Sequence, residues 1–309
     1  MGTDRAPSPP APAPDRLPPA DEVLGRMGGE NFPVALRVLP GALRDRLRAI
    51  YGYARFVDQL GDAYDGDRLG ALEWVEGEVD RGVSGAAPVV DLHPLVAPAV
   101  ALVRACGSGA DELRALIQAN RMDQTVGAYP DFAALVGYCH LSADPVGRLV
   151  LLAFDASTPE RIAWSDRICT ALQLAEHWQD LGEDVRAGRL YLPADDRARF
   201  GVGEEELRAV AERRGPAGPA LRGLVAFETA RARALLAEGE PLVRSLTGWA
   251  RLAVAAFAAG GHAALDAVAR TGYDPFAGTP AADRLGTARH AAVLLRGRSA
   301  GARRPGAAA

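Results

Sequence analysis

The chain has no lysine: all 35 of its Lys and Arg side chains are arginine, set against 39 Asp and Glu. The net charge of −4 provides no global basic field, which excludes the usual electrostatic footprint of a nucleic-acid partner. Cysteine is scarce too. Cys106, Cys139 and Cys169 are widely spaced, odd in number and outside any CxxC pair, so they indicate neither a disulfide framework nor a zinc site. A reducing cytoplasm fits that usage. Uninterrupted apolar runs are also missing. The most apolar stretch, Trp249 to Ala269, carries Arg251, a Gly-Gly pair, His262 and Asp266. That is the composition of a buried helix rather than a membrane span, and it leaves room only for peripheral membrane contact.

Helical periodicity is what remains, with few strand signals. The spacing predicts helices near 22–28, 42–62, 68–81, 94–106, 109–125, 131–154, 159–185, 203–214, 218–239 and 241–269, with Gly and Pro mostly between them. The 131–154 segment is expected to be one long helix, capped by Asp131 and kinked at Pro145. Residues 1–20, rich in Pro and Ala and without a signal-peptide apolar core, read as disordered. Residues 21–270 read as one all-α domain with helices around a central cavity, and 271–309 as a loosely structured tail with a short helix near His290 to Leu295.

Two helices carry acidic lines. The first runs Tyr51, Arg55, Asp58, Asp62; the second runs Gln173, Glu176, Asp180, Asp184. Residues three and four apart share one helical face, so each set is a single polar stripe. The other faces are apolar: Leu47, Ile50, Tyr53, Phe56, Val57 and Leu60 around the first, Leu172, Leu174, Ala175, Trp178 and Leu181 around the second. Carboxylates on a mostly buried helix need a partner or a metal. Two facing stripes would form a cage of hard oxygen ligands suited to Mg²⁺, which takes one or two carboxylates and completes its shell with water and phosphate. Asp58, Asp62, Glu176, Asp180 and Asp184 are therefore candidate ligands for two or three Mg²⁺ ions that share a diphosphate. The chemistry expected of such a cage is stabilisation of the charge that develops as a C–O bond to diphosphate breaks. Gly188 and Pro193 end the second helix and place Arg189 and Tyr191 beside it.

Several segments together resemble the squalene and phytoene synthase family over about residues 30 to 270. Glu30-Asn31-Phe32-Pro33 is similar to that family's early substrate-contacting segment. Ala49-Ile50-Tyr51-Gly52-Tyr53-Ala54-Arg55-Phe56-Val57-Asp58 resembles its first aspartate run, with Tyr53 where the family has Phe. Tyr138-Cys139 with Ser142-Ala143-Asp144-Pro145-Val146-Gly147 resembles its central cavity helix. Leu172 to Asp180, continuing to Gly188-Arg189-Leu190-Tyr191-Leu192-Pro193, resembles its second aspartate motif and following loop.

The resemblance implies an isoprenoid synthase fold and, by its closest branch, the bacterial hydroxysqualene synthases. Those take presqualene diphosphate and capture water without NADPH. Head-to-head condensation of two prenyl diphosphates, or a non-catalytic prenyl diphosphate binder, are the alternatives. By carry-over, Asp58, Asp62, Asp180 and Asp184 with Arg55 are catalytic. Asn31, Phe32, Tyr51, Arg55, Tyr138, Gln173, Arg189 and Tyr191 contact substrate. Enzymes of the same pathway are the implied protein partners. Two departures stand out: Glu176 replaces the family's usual Asn, and Ala63 stands where an acid usually follows Asp62, with Asp65 and Asp67 as candidates to compensate.

Overall fold

The computed structural model describes Pro12 and residues 17–25, 39–213 and 215–297. Among these the structure is all-α, with a single isolated parallel bridge between Ala128 and Leu190 in place of any sheet. The helices gather into two compact units. Most of the 1–20 segment, and both Asn31 and Phe32, lie outside the described residues.

The first unit contains α1 (Ala20–Gly25), α2 (Gly41–Asp62), α3 (Arg68–Ser84), α4 (Ala97–Cys106), α5 (Ala110–Asp123), nearly all of α6 (Phe132–Ser142), and α7 (Asp144–Ala153). Its core includes the α2 residues Leu47, Ile50, Tyr53, Phe56, Val57 and Leu60, all essentially inaccessible. Full burial of an aromatic or aliphatic side chain stabilises by about 1.5–3 kcal/mol each, so this face fixes α2 in rotation about its axis. Tyr53 stands where the resembled family has Phe, and differs by a hydroxyl. The structure accounts for it: Tyr53 Oη donates to the Leu113 carbonyl of α5 at 2.8 Å, and burial pushes the phenol pKa well above its usual range. Gly61 lets α2 and α5 approach closely, since a Cβ there would sit 2.2 Å from Asn120 Oδ1.

The expected long helix over 131–154 is two helices. Pro145 has no N–H to give, and it falls in the first turn of α7, where none is needed. The junction is bridged by His140 Nδ1 and the fully buried Asp144 Oδ2, 2.5 Å apart.

The second unit contains α8 (Pro159–Arg186), α9 (Ala194–Phe200), α10 (Glu204–Arg213), α11 (Pro219–Gly239), α12 (Pro241–Ser245), α13 (Gly248–Arg270) and α14 (Arg284–Leu295), with Ala128–Phe132. α8 is the longest at 28 residues. Thr158 caps it by accepting from Arg161 N–H at 3.3 Å, Pro159 fits its first turn, and Gly188 at φ +82° turns the chain away after it. Leu174, Ala175, Trp178 and Leu181 bury its apolar faces.

The expected 241–269 helix breaks into α12 and α13, because Leu246 and Thr247 are extended and Gly248 takes φ +55°. α13 is long and apolar enough to cross a membrane, yet two-thirds of that apolar stretch, 67%, is buried, as its composition predicted. Between Arg270 and Gly297 the chain carries α14, which includes the short helix expected near His290 to Leu295. Asp283 caps α14 by accepting from Gly286 N–H at 2.5 Å, and Phe276 is buried. α9, too short to show a period, was not anticipated.

Candidate active site

On α2, Tyr51, Arg55 and Asp58 are half-buried and Asp62 is exposed at the helix end. Asp58 does not stand alone. Asn120 Nδ2 on α5 donates to its Oδ1 at 3.1 Å and also to the Leu116 carbonyl at 3.1 Å. Gln124 Nε2 donates to the Gly61 carbonyl at 2.9 Å. The expected pocket residue Tyr138 is buried, and its hydroxyl donates to Asp123 Oδ2 at 2.8 Å. Asn120, Asp123 and Gln124 thus form a polar line on α5 beside the α2 stripe. The sequence reading missed them, although their spacing of three and four residues is the same signal. Arg55 keeps a buried Nε–H with no protein partner. Ala63 is the residue after α2, and its N–H returns to the Gln59 carbonyl at 3.0 Å. Of the two acids offered in its place, Asp67 is already committed, capping α3 through Gly70 N–H at 2.9 Å, and Asp65 is exposed.

On α8, Gln173, Glu176, Asp180 and Asp184 are half-buried and share one side. Burial, then repulsion from Asp184 and Glu183, pushes the Asp180 carboxyl up to about 6, with a Thr279 hydroxyl opposing the shift. Glu183, off the line, accepts from Thr279 Oγ1 at 3.0 Å. The loop after α8 folds back on it. Arg189 N–H donates to the Asp184 carbonyl at 2.8 Å, and Arg189 Nε stands 3.9 Å from Asp184 Oδ1. Tyr191 is buried and stacks on His177 with ring centroids 3.6 Å apart, and on Tyr129 at 5.8 Å. The Ala128–Leu190 bridge fixes the intervening backbone.

Among the described residues no three His, Cys, Asp or Glu side chains already converge on a cation-sized point. The acids of each helix nevertheless suit Mg²⁺ bound with a diphosphate. They are all hard oxygen donors, and Mg²⁺ needs only one or two carboxylates when water and phosphate fill its shell. Burial, with two neighbouring carboxylates, holds Asp180 above its ordinary value, a setting a bound cation would ease. The buried, unpartnered Arg55 Nε–H is suited to a phosphate oxygen.

Two solved structures share the architecture. Squalene synthase HpnC from Alicyclobacillus acidocaldarius aligns with a TM-score of 0.72 and 38% identity, covering 82% of this chain and 92% of that one. A dehydrosqualene synthase solved with a ligand aligns at TM-score 0.77 over 90% of this chain and 95% of that one; at 21% identity it speaks for the fold alone. This is the all-α isoprenoid synthase fold. The profile of the squalene/phytoene synthase family matches residues 26–293, and the chain belongs to that family of prenyl diphosphate-processing enzymes.

Two relatives are hydroxysqualene synthases. The one from Rhodopseudomonas palustris is 34% identical over 225 residues, 70% of this chain and 71% of the relative. The one from Zymomonas mobilis is 37% identical over 174 residues, 54% of this chain and 55% of the relative, so the match spans little more than half that enzyme's length. A presqualene diphosphate synthase of Rhodopseudomonas palustris is 31% identical over 59% of this chain and 65% of the relative.

Proposed function

We propose that the protein converts presqualene diphosphate to hydroxysqualene, in cytoplasmic squalene and hopanoid biosynthesis, with Mg²⁺ as its cofactor. The observation that carries this reading is the likeness to hydroxysqualene synthases, which reaches 70% of the chain in one case. The carboxylates of α2 (Asp58, Asp62) and α8 (Glu176, Asp180, Asp184) supply the oxygen ligands. When bound, Mg²⁺ supplies electrostatic stabilisation of the departing diphosphate. Asn120 orients Asp58 through its amide, so that carboxylate needs no reorganisation when substrate arrives. Arg55 donates its free N–H to a phosphate oxygen, and Arg189 contributes a second guanidinium beside Asp184. Gln173, Tyr51, Tyr138 and Tyr191 line the substrate's path, with Asn31 and Phe32 assigned to it by resemblance.

In the reaction the substrate's C–O bond breaks and its electron pair leaves with the diphosphate. The cyclopropylcarbinyl cation rearranges, a water oxygen bonds to carbon, and that water releases a proton. Substrate and water become hydroxysqualene and inorganic diphosphate, with no reductant consumed, so NADPH has no role. An apolar pocket around the prenyl chains would keep stray water from quenching the cation early. The test is purified protein with presqualene diphosphate and Mg²⁺, without NADPH, followed by product analysis. Hydroxysqualene is expected; substrate returned unchanged across metal conditions overturns the reading.

The 31% identity to a presqualene diphosphate synthase supports a second reading, head-to-head condensation of two farnesyl diphosphates. Feeding farnesyl diphosphate alone separates the two, since only the second reading turns it over.

A further inference from the structure

His177 takes no part in the reaction proposed above, yet it lies between the α8 stripe and the loop that follows it. It follows Glu176 in sequence, so helical geometry turns it off the acidic line and into the protein, where only 5% of it is exposed. Three of the groups near its ring define its setting. One face stacks on Tyr191 of the following loop, with centroids 3.6 Å apart and planes 14° from parallel. Its Nδ1 stands 3.9 Å from Asp184 Oδ2. Its Nε2 lies 3.4 Å from Gln173 Nε2 one turn back.

These partners select one arrangement of the imidazole. With Gln173 Nε2 as the donor, His177 Nε2 presents its lone pair and a ring proton sits on Nδ1 facing Asp184. At 3.9 Å the pair is beyond direct hydrogen-bond length, and the contact orients the carboxylate through the field of the N–H dipole. Arg189 does the same for the other oxygen, with Nε 3.9 Å from Oδ1. Asp184 is therefore flanked on one oxygen by a group from its own helix and on the other by a group from the loop.

We infer that His177 is a positioning residue, whose buried ring ties the Asp184 carboxylate to the 188–193 loop so that both hold one geometry. Its two halves are separable. The stack on Tyr191 pins the loop, and the Nδ1–H aims the carboxylate. The geometric part stands by itself, while its consequence for ligand binding rests on the diphosphate reading of the site. A partner that orients a metal-binding carboxylate typically changes metal affinity by about 10- to 100-fold when removed.

Two variants of similar bulk separate the halves. His177→Phe keeps a flat ring for Tyr191 and loses the N–H. His177→Asn keeps a donor near the Nδ1 position and loses the stack. Binding of inorganic pyrophosphate at saturating Mg²⁺, followed by calorimetry, reads the carboxylate. Amide hydrogen exchange across 188–193 in metal-free protein reads the loop. The Phe variant is expected to bind pyrophosphate roughly tenfold more weakly with loop exchange unchanged. The Asn variant is expected to exchange faster across the loop while keeping most of its affinity. A ring that merely filled space would leave both readouts at wild-type values in the Phe variant, and unaltered pyrophosphate binding there overturns the aiming role. Unaltered loop exchange in the Asn variant overturns the coupling, whatever the ligand does. If the wild-type protein itself fails to bind magnesium pyrophosphate, the diphosphate reading falls and the exchange measurement still decides the coupling.

Discussion

Asp58 and Asp180 face different local problems. Asp58 has an amide donor from α5, whereas burial, then repulsion from Asp184 and Glu183, pushes Asp180 up to about 6. Replacing either by Asn removes a charge that the proposed reaction uses. Asp58→Asn and Asp180→Asn are each expected to slow turnover by at least roughly tenfold with little loss of fold. Steady-state rates beside thermal melts check this, and normal rates in both variants would remove these aspartates from the mechanism.

A second residue-scale effect lies away from the site. Glu228 is completely buried beside Arg231 and Asp196, and burial pushes its carboxyl up to about 8 despite the nearby guanidinium. The folded state thus binds a proton that the unfolded state has released. Stability should be highest below about 4.5 from this group and decline until about 8 as pH rises. Glu228→Gln should flatten that decline, which melting curves across the range would show.

The acidic stripes were legible because four-residue spacing on an apolar helix is a strong pattern. Asn120, Asp123 and Gln124 share a similar spacing, but two of the three are neutral amides and the Asp58 partner of Asn120 lies 62 positions away in sequence.

At the scale of elements, the crossing of α8 and α11 is the tightest test of the packing. A Cβ on Gly239 would lie 2.8 Å from the Trp164 carbonyl and 2.5 Å from Ile168 Cγ1, so backbone as well as side chain must give way. Gly239→Ala is expected to destabilise by about 1–3 kcal/mol, readable by chemical denaturation. At the other end of the second unit, Asp283 caps α14 and also reaches Arg270 at 3.3 Å. Asp283→Ala should cost about 1 kcal/mol and raise exchange in the first turn of α14; a variant as stable as wild type would mean α14 is held by its packing alone.

Most helices could be placed from periodicity, but breaks inside apolar runs could not. The kink expected at Pro145 is instead a helix start, because proline has no N–H to give and the first turn of α7 needs none. Thr247 and Gly248 carry no strong stop signal within so much alanine. The tail was expected to be loose with a short helix near His290 to Leu295; α14 starts earlier, at Arg284, where Asp283 caps it.

For the whole molecule, the fold class follows from composition and periodicity, since helices with one apolar face and no alternating segments leave no other architecture. The proposed chemistry has a consequence at this scale as well. A ligand that binds only the folded chain raises its stability by about 2.7 kcal/mol at a hundredfold excess over its dissociation constant. Mg²⁺ with pyrophosphate together should raise the melting temperature, and EDTA should cancel the rise. Pyrophosphate alone should give little, because the carboxylates then lack the cation that joins them to it. A shift that survives EDTA would argue against metal-mediated binding.

The three-ring stack of Tyr129, Tyr191 and His177 gives the site an optical signature. Rings held nearly parallel in a chiral setting couple their electronic transitions, so the loop after α8 should imprint a near-ultraviolet circular dichroism band on the protein. Any ligand that lifts Tyr191 from its neighbours would change that band, making the loop's position visible in solution without a label.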